Sequence, residues 1–166
     1  MCDTATRLGV APDTSTYKIV LQHLRERRRA DQSLRLLRRM IDNAVQPDVH
    51  CYNSVLGGLL ETGLKAEVQG LVDEMQMLGV EPNVETYTVI MEHEARHQNA
   101  AGVRDGLTRL LRSRLQPDDG VLFPLIEVED DSAHLVGALR KLRRHHVAIS
   151  ERVYLVVACK LASRRG

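Results

Sequence analysis

VQPDVHCYN, residues 45–53, is one copy of a phrase that recurs along the sequence. Related phrases begin at Val10, Val80 and Leu115, and each has a proline two residues later. The step between successive prolines is 35 residues each time, and they are Pro12, Pro47, Pro82 and Pro117. A fixed period of this length predicts a stack of small repeated units, because a single globular core imposes no such period.

The composition is typical of a folded domain. The 166 residues are 43% hydrophobic and 27% charged, with a formal net charge of +1. These values exclude a disordered chain and leave almost no overall electrostatic field. Affinity for nucleic acid would therefore have to come from local groups of charge.

Cysteine usage and hydropathy exclude several further classes. Cys2, Cys51 and Cys159 are far apart and lack metal-type spacing, so neither a disulfide framework nor a zinc site is predicted. No apolar run is long enough to span a bilayer, and we expect no membrane insertion. Residues 1–11 resemble neither a signal peptide nor an arginine-rich transit sequence.

Each period carries two helical patterns whose apolar residues stay in register. The first helices share a tyrosine position, with leucine in the last copy, and an apolar position four residues later: Tyr17, Tyr52, Tyr87 and Leu122, then Leu21, Leu56, Met91 and Ile126. The second helices share two more: Leu37, Val72 and Leu107, then Met40, Met75 and Leu110. This spacing puts each set on one helical face. The predicted fold is all-α, a right-handed α-solenoid of stacked helix-turn-helix repeats with one concave and one convex face.

Turn and capping residues recur at the same period. Arg28, Gly63 and Gln98 mark the turn inside each hairpin, where Gly63 can adopt positive φ cheaply. A short polar residue follows each repeated proline, where its side chain can cap the next helix: Asp13, Asp48, Asn83 and Asp118.

The period divides the chain into units. Residues 1–13 are predicted to be the end of a preceding repeat, followed by repeat 1 (14–48), repeat 2 (49–83), repeat 3 (84–118), a divergent short repeat 4 (119–150) and a lone terminal helix (151–166). In repeat 4 about three residues are missing near Asp130–Ser132, and Pro124 should shorten or kink the first helix. Tyr154 has the tyrosine position in the terminal helix.

Helix pairs at this step, each opened by V-x-P-D/N-x-x-x-Y, resemble the pentatricopeptide repeat family over about residues 8–163. The tetratricopeptide repeat is the closest rival, but it has a step of about 34 residues and a tryptophan-containing motif. The resemblance implies binding of single-stranded RNA, one base per repeat, read by two or three side chains.

In that family the readers are the residue after the tyrosine and the residue after the proline that closes the same repeat. The resemblance therefore implies Asn53 with Asn83 for a pyrimidine, cytosine especially, and Thr88 with Asp118 for guanine. Lys18 with Asp48 matches no usual pair, and repeat 4 has Phe123 in the first position. For the three readers that follow a proline, the alternative is a role as helix caps only: Asp48, Asn83 and Asp118.

Two features depart from the family pattern. Small aliphatic residues that sandwich a base in the family are replaced by Ser15, His50, Glu85 and Gly120, of which only His50 can stack. The positions that usually carry a phosphate-facing lysine hold Glu26, Glu61 and Arg96. Positive charge is concentrated elsewhere, at Arg27–Arg29 with Arg35, Arg38 and Arg39, and at residues 140–146. As blocks, these clusters could hold structured RNA or an acidic partner without reading sequence.

One segment of the sequence matches a catalytic motif. His93–His97 reads H-E-A-R-H and matches the zinc-protease pattern H-E-x-x-H. A zinc protease also needs a third ligand and a strand edge for substrate, which a helical-repeat array does not supply. We therefore predict no catalytic residue, no metal site and no cofactor.

The sequence favours a non-catalytic RNA-binding module of organellar type. The predicted RNA-binding residues are Lys18, Asp48, His50, Asn53, Asn83, Thr88 and Asp118. The alternative is a scaffold subunit that binds protein or structured RNA within a large organellar assembly such as a mitochondrial ribosome. Expected partners are single-stranded or structured RNA and protein subunits of such a complex. The expectation of a mitochondrion or plastid rests on the family resemblance alone.

Overall fold

The computed structural model describes residues 12–129, 132–145, 147 and 149–162. Every regular element within these ranges is an α-helix. The helices are α1 (Thr14–Glu26), α2 (Ala30–Asp42), α3 (Val49–Glu61), α4 (Lys65–Met77), α5 (Val84–Arg96), α6 (Ala100–Arg112), α7 (Asp119–Val128), α8 (Ser132–Arg144) and α9 (Glu151–Ala162). They form two compact units, one ending at Pro82 and one beginning at Asn83. The predicted all-α class is confirmed.

In the first unit, α1 packs against α2 and α3, and α3 packs against α2 and α4. The predicted stripes form its core, because Tyr17, Leu21, Leu37, Met40 and Tyr52 are each 0% exposed. Full burial of one such aliphatic side chain is worth about 1.5–3 kcal/mol. Burial of these side chains therefore contributes much of the free energy that stabilises the packing of the hairpins.

In the second unit, α5 packs against α6 and α7, α6 packs against α7, and α7 packs against α9. Its core repeats the same positions, with Met91 and Leu110 both 0% exposed and Leu122 1% exposed. Leu122 thus takes the buried place that tyrosine has in the preceding repeats.

The capping predictions are confirmed. Each residue after a repeated proline is an N-cap, and its side chain accepts a hydrogen bond from a backbone N–H three residues on, in Asp13, Asp48, Asn83 and Asp118. The turns inside the hairpins have positive φ at the predicted places, Arg28, Gly63 and Gln98. A second set, which the sequence interpretation missed, ends the second helices at the same period, at Ala44, Gly79 and Arg114.

The first helix of the fourth hairpin is short, as Pro124 predicted. This helix, α7, has 10 residues and contains Pro124, whereas the first helices of the three preceding hairpins have 13. Lys160 on α9 donates hydrogen bonds to the carbonyl oxygens of Ile126 and Glu127, where a positive charge complements a helix C-terminus. Asp130 and Asp131, next to the predicted deletion, lie outside the described residues.

The last helix packs through valines instead of its tyrosine. Val153 and Val157 are buried, whereas Tyr154 is 53% exposed. Tyr154 therefore has the sequence position of the core tyrosines without their burial. Among the helices described, none combines the length and apolarity needed to cross a bilayer.

Candidate nucleic-acid interface

The two predicted reader side chains of repeat 1, Lys18 and Asp48, bind each other. Lys18 on α1 forms an ion pair with Asp48, the N-cap of α3. The Asp48 carboxylate also accepts a hydrogen bond from the Cys51 backbone N–H at 3.1 Å. Both side chains stay more than a third exposed, at 39% and 37%. The structure thus brings this predicted pair together, but as partners of one another.

The ion pair changes the titration of both groups. Partial burial acts to raise the pKa of Asp48, but the hydrogen bonds from Lys18 and Cys51 outweigh it and hold the pKa below its usual value. The hydrogen bond to Asp48 raises the pKa of Lys18 above its usual value. Both groups are therefore charged at neutral pH, and their charges compensate each other.

The readers of repeat 2 have contrasting surroundings. Asn53 is 2% exposed in the middle of the apolar face of α3, with Tyr52 and Leu56 also buried. Asn83 lies in the other unit, where it forms a capping box with Thr86: its Oδ1 accepts from the Thr86 N–H at 3.0 Å, and its own N–H donates to Thr86 Oγ1 at 3.1 Å. His50, the predicted stacking residue, is exposed. Asn53 is thus the least accessible of the predicted RNA-binding residues.

The readers of repeat 3 border an open space. Asp118 is exposed, and its Oδ1 accepts from the Val121 N–H at 3.1 Å. Half-buried Thr88 donates a hydrogen bond from Oγ1 to the Val84 carbonyl oxygen at 2.9 Å. A Cβ at Gly120 would lie 3.2 Å from Asp118 Oδ1 and 3.7 Å from Thr88 Cγ2. Because Gly120 has no side chain, nothing at that position covers the two readers.

Repeat 4 presents an aromatic ring at the same place. Phe123 is 40% exposed and lines a cavity of about 370 Å³ together with Arg96, Pro124 and two glutamates, Glu92 and Glu127. A base could stack on this ring, but the carboxylates disfavour a phosphate beside it.

Two of the three charges at the phosphate-facing positions of the family are compensated within the chain. Glu61 pairs with Arg25 at 3.4 Å, and Arg96 pairs with Glu92 at 3.6 Å. Glu26 lies 3.8 Å from His23 Nδ1. These positions therefore add no net positive charge to the surface that carries the readers.

The side chains of the H-E-x-x-H segment make contacts within the fold. His93 is 3% exposed, and its ring lies against that of His97 at a tilt of 37°, with the centroids 4.2 Å apart. Glu94 accepts a hydrogen bond from Asn99 Nδ2 at 2.5 Å, next to the start of α6. Across the described ranges, no group of three or more His, Cys, Asp or Glu residues could hold a metal ion.

Two hydrogen bonds of the core tyrosines were not predicted from the sequence. Tyr17 Oη accepts from Asn43 Nδ2 at 2.9 Å, and Tyr87 Oη lies 3.1 Å from Ser113 Oγ. The equivalent residue in repeat 2 is Leu78, and the buried Tyr52 hydroxyl has no hydrogen-bond partner in the part of the chain that the structure describes. The recurrence of a polar residue 26 positions after the tyrosine was the available signal.

The profile of the pentatricopeptide repeat family matches residues 12–61 and 47–93. The matched segments contain the first three repeated prolines and the tyrosines that follow them, Tyr17, Tyr52 and Tyr87. The chain belongs to the pentatricopeptide repeat family. This confirms the resemblance carried by the repeated phrase.

Two curated pentatricopeptide repeat proteins of Arabidopsis thaliana are similar in sequence. One, named mitochondrial, is 31% identical over 85 residues, which are 51% of this chain and 10% of that protein. The other, named chloroplastic, is 30% identical over 87 residues, which are 52% of this chain and 11% of that protein. The matching segments therefore span about a tenth of the length of these relatives.

Solved pentatricopeptide repeat structures share the fold. PPR10 in complex with an 18-nucleotide psaJ RNA element matches with a TM-score of 0.75 and 20% identity, covering 95% of this chain and 23% of PPR10. The PPR domain of Arabidopsis thaliana protein-only RNase P 1, in complex with tRNA, matches with a TM-score of 0.72 and 16% identity, covering 96% of this chain and 86% of that domain. The chain is thus an all-α helical-repeat solenoid.

Proposed function

We propose that this chain is a non-catalytic RNA-binding module that holds single-stranded RNA at about one base per repeat. Membership of the pentatricopeptide repeat family supports the proposal, as does the likeness to PPR10 bound to an 18-nucleotide RNA. The names of the mitochondrial and chloroplastic relatives support an organellar location. The RNase P neighbour is an enzyme by name, but the matched part is its PPR domain.

The observation that carries the proposal is the exposed carboxylate of Asp118, next to Gly120, which has no side chain to cover it. The Asp118 carboxylate uses Oδ1 to cap α7, and a carboxylate has further lone pairs that can accept hydrogen bonds. Guanine presents two N–H donors on its Watson–Crick edge, which suits such an acceptor. Repeat 3 is therefore proposed to read guanine.

The repeats differ in how accessible their reader residues are to RNA. Repeat 1 does not read a base, because Lys18 and Asp48 neutralise each other. Repeat 2 reads only if Asn53 becomes uncovered, since it is 2% exposed. Repeat 3 is open without any rearrangement of Thr88 or Asp118. Within this chain, we therefore assign most of the base preference to repeat 3.

Asp118→Asn tests the reader role and retains the cap. Asparagine is as good an N-cap as aspartate, and Asn83 already caps α5 in this way. We expect the variant to lose preference for guanine over adenine by about 10-fold or more, because one good bidentate contact is worth about 1–3 kcal/mol of discrimination. Binding is measured by fluorescence anisotropy with short RNAs that differ at one base.

Asp13→Asn is the matched control, since Asp13 also caps a helix but belongs to no reader pair within the chain. Base preference should be unchanged in this variant. If Asp118→Asn binds all four base variants like the unchanged chain, sequence reading by repeat 3 is wrong. An unchanged thermal midpoint in both variants shows that the caps are intact.

The second candidate function is a scaffold subunit of a large organellar assembly. The internal neutralisation of Lys18 by Asp48 and of Arg25 by Glu61 favours it, because it removes positive charge from the surface that would meet RNA. This role requires no base preference. Absence of single-stranded RNA binding at low salt, together with retained folding, would support the scaffold over the reader.

A further inference from the structure

A cavity lined by arginines lies at the turn between α1 and α2. Its volume is about 300 Å³, and its charged lining consists of three arginines and one aspartate: Arg28, Arg29, Arg35 and Asp31. The reader residues Lys18, Asp48 and Asn53 are not part of its lining. The cavity is therefore separate from the proposed base-reading positions.

The arginines of this cavity lack carboxylate partners among the described residues. Arg29 donates to Gln32 Oε1 at 3.5 Å, and Arg35 donates from Nε to the Asp31 carbonyl oxygen at 3.1 Å. Several other cations of the chain are compensated by a carboxylate, as Arg25 is by Glu61 and Arg104 is by Glu129. Because a guanidinium has five N–H donors, each of these arginines keeps donors available for an anion.

The backbone adds to the positive potential. α2 begins at Ala30, next to the cavity, and its N-cap Arg29 provides no side-chain cap for the first N–H groups. A helix N-terminus carries about half a positive charge. The three guanidiniums and the helix start thus outweigh the single negative charge of Asp31.

We infer that this cavity binds the phosphate backbone of folded RNA. The inference rests on the proposed function, because that function makes RNA the partner. Planar guanidinium groups bind phosphate oxygens through paired hydrogen bonds, and such contacts position an RNA without reading its sequence. Folded RNA is favoured over an unpaired strand, since closely spaced phosphates on two strands match several arginines around one cavity.

The test replaces the charges at the cavity: Arg28→Gln, Arg29→Gln and Arg35→Gln in one chain. Glutamine is tolerated at the first of these positions, because Gln98 has positive φ at the equivalent turn of repeat 3. We expect the affinity for an RNA stem-loop at low salt to fall about 10-fold or more. The slope of log K against log salt should decrease by about one for each phosphate contact that is lost.

The matched control removes the same number of charges at the C-terminal ends of two helices, α6 and α8: Arg112→Gln, Arg114→Gln and Arg143→Gln. Arg112 and Arg114 line a cavity of about 350 Å³ at the end of α6, where the helix dipole disfavours an anion. We expect this control to retain stem-loop affinity within about threefold, since only diffuse charge is lost. Equal losses in the two triple variants, or none in either, would overturn the inference.

Two further measurements separate the alternatives. An oligoglutamate that binds the unchanged chain as tightly as the stem-loop, and loses affinity in the cavity variant, would assign the cavity to an acidic protein and contradict the RNA assignment. Base preference at repeat 3 should survive in the cavity variant. If single-stranded RNA is not bound at all but the stem-loop still depends on the three arginines, the proposed base reading fails and the phosphate site stands.

Discussion

Lys18 on α1 forms an ion pair with Asp48, the residue that caps α3, so the two predicted readers of repeat 1 satisfy each other. The positions lie 30 residues apart in sequence, and the packing of α1 against α3 brings them together. This contact makes repeat 1 different from repeat 3, in which Asp118 is exposed and Thr88 is half-buried.

Removal of the ion pair between Lys18 and Asp48 should increase the affinity of the chain for RNA. In Asp48→Asn the cap is retained, but Lys18 loses its anionic partner and becomes available to a phosphate. We expect tighter binding of single-stranded RNA and a salt slope that is steeper by about 0.7, the contribution of one phosphate contact on a single strand. Asp13→Asn has the same change of charge without an ion pair, and an equal effect there would exclude this explanation.

The stability contributed by the pair should depend on pH in a defined way. Asp48 has a folded pKa below its ordinary value of 3.8, so its contribution is present above that pH and is lost as pH falls through the folded pKa. Lys18 has a folded pKa above 10.5, so its contribution is full below that pH and is lost as pH rises further. Urea unfolding of the unchanged chain and of Lys18→Met should differ by a constant amount between about pH 5 and 9. A difference that varied within this window would contradict the assignment.

The three buried tyrosines should respond differently to loss of the hydroxyl. Tyr17→Phe and Tyr87→Phe each remove a hydrogen bond, to Asn43 and Ser113, and should cost about 1 kcal/mol of unfolding free energy. Tyr52→Phe should be neutral or stabilising, because the Tyr52 hydroxyl is buried without a hydrogen-bond partner among the described residues. Urea denaturation of the three variants measures these effects, and a loss in Tyr52→Phe equal to the other two would contradict the structure.

The turns that end the second helices provide a reciprocal pair of substitutions. Ala44 has φ 57° and Gly79 has φ 74° at equivalent positions of successive repeats. Ala44→Gly should stabilise the chain by about 0.5–1 kcal/mol, because glycine adopts positive φ without steric cost. Gly79→Ala should destabilise it by a similar amount. Thermal unfolding of both variants checks the two signs, and the same sign in both would show that another effect dominates.

The described cysteines should differ in reactivity. Burial raises the pKa of Cys51 to about 11, so its reactive thiolate is scarce at neutral pH, whereas Cys159 is exposed. Iodoacetamide at about pH 8 should modify Cys159 in the native chain and leave Cys51 unmodified until urea is added. Peptide mapping by mass spectrometry distinguishes the two sites. Rapid native modification of Cys51 would mean that α3 opens readily.

Some features of this protein follow from the sequence because they depend on local spacing. A proline followed by Asp or Asn predicted the N-caps of α1, α3, α5 and α7, since a cap bonds to a backbone N–H only three residues away. The positive φ at Gly63 and the shortening of α7 around Pro124 are equally local consequences of residue type.

Only the tertiary structure decided which side chains meet across helices. The ion pair of Lys18 with Asp48, the missing partner of the Tyr52 hydroxyl and the 2% exposure of Asn53 all depend on how neighbouring helices pack. A repeat period places residues at equivalent positions, but it does not say whether two of them face RNA or one another. That choice depends on distances of a few ångströms between helices, because hydrogen bonds and ion pairs weaken steeply beyond their short contact range.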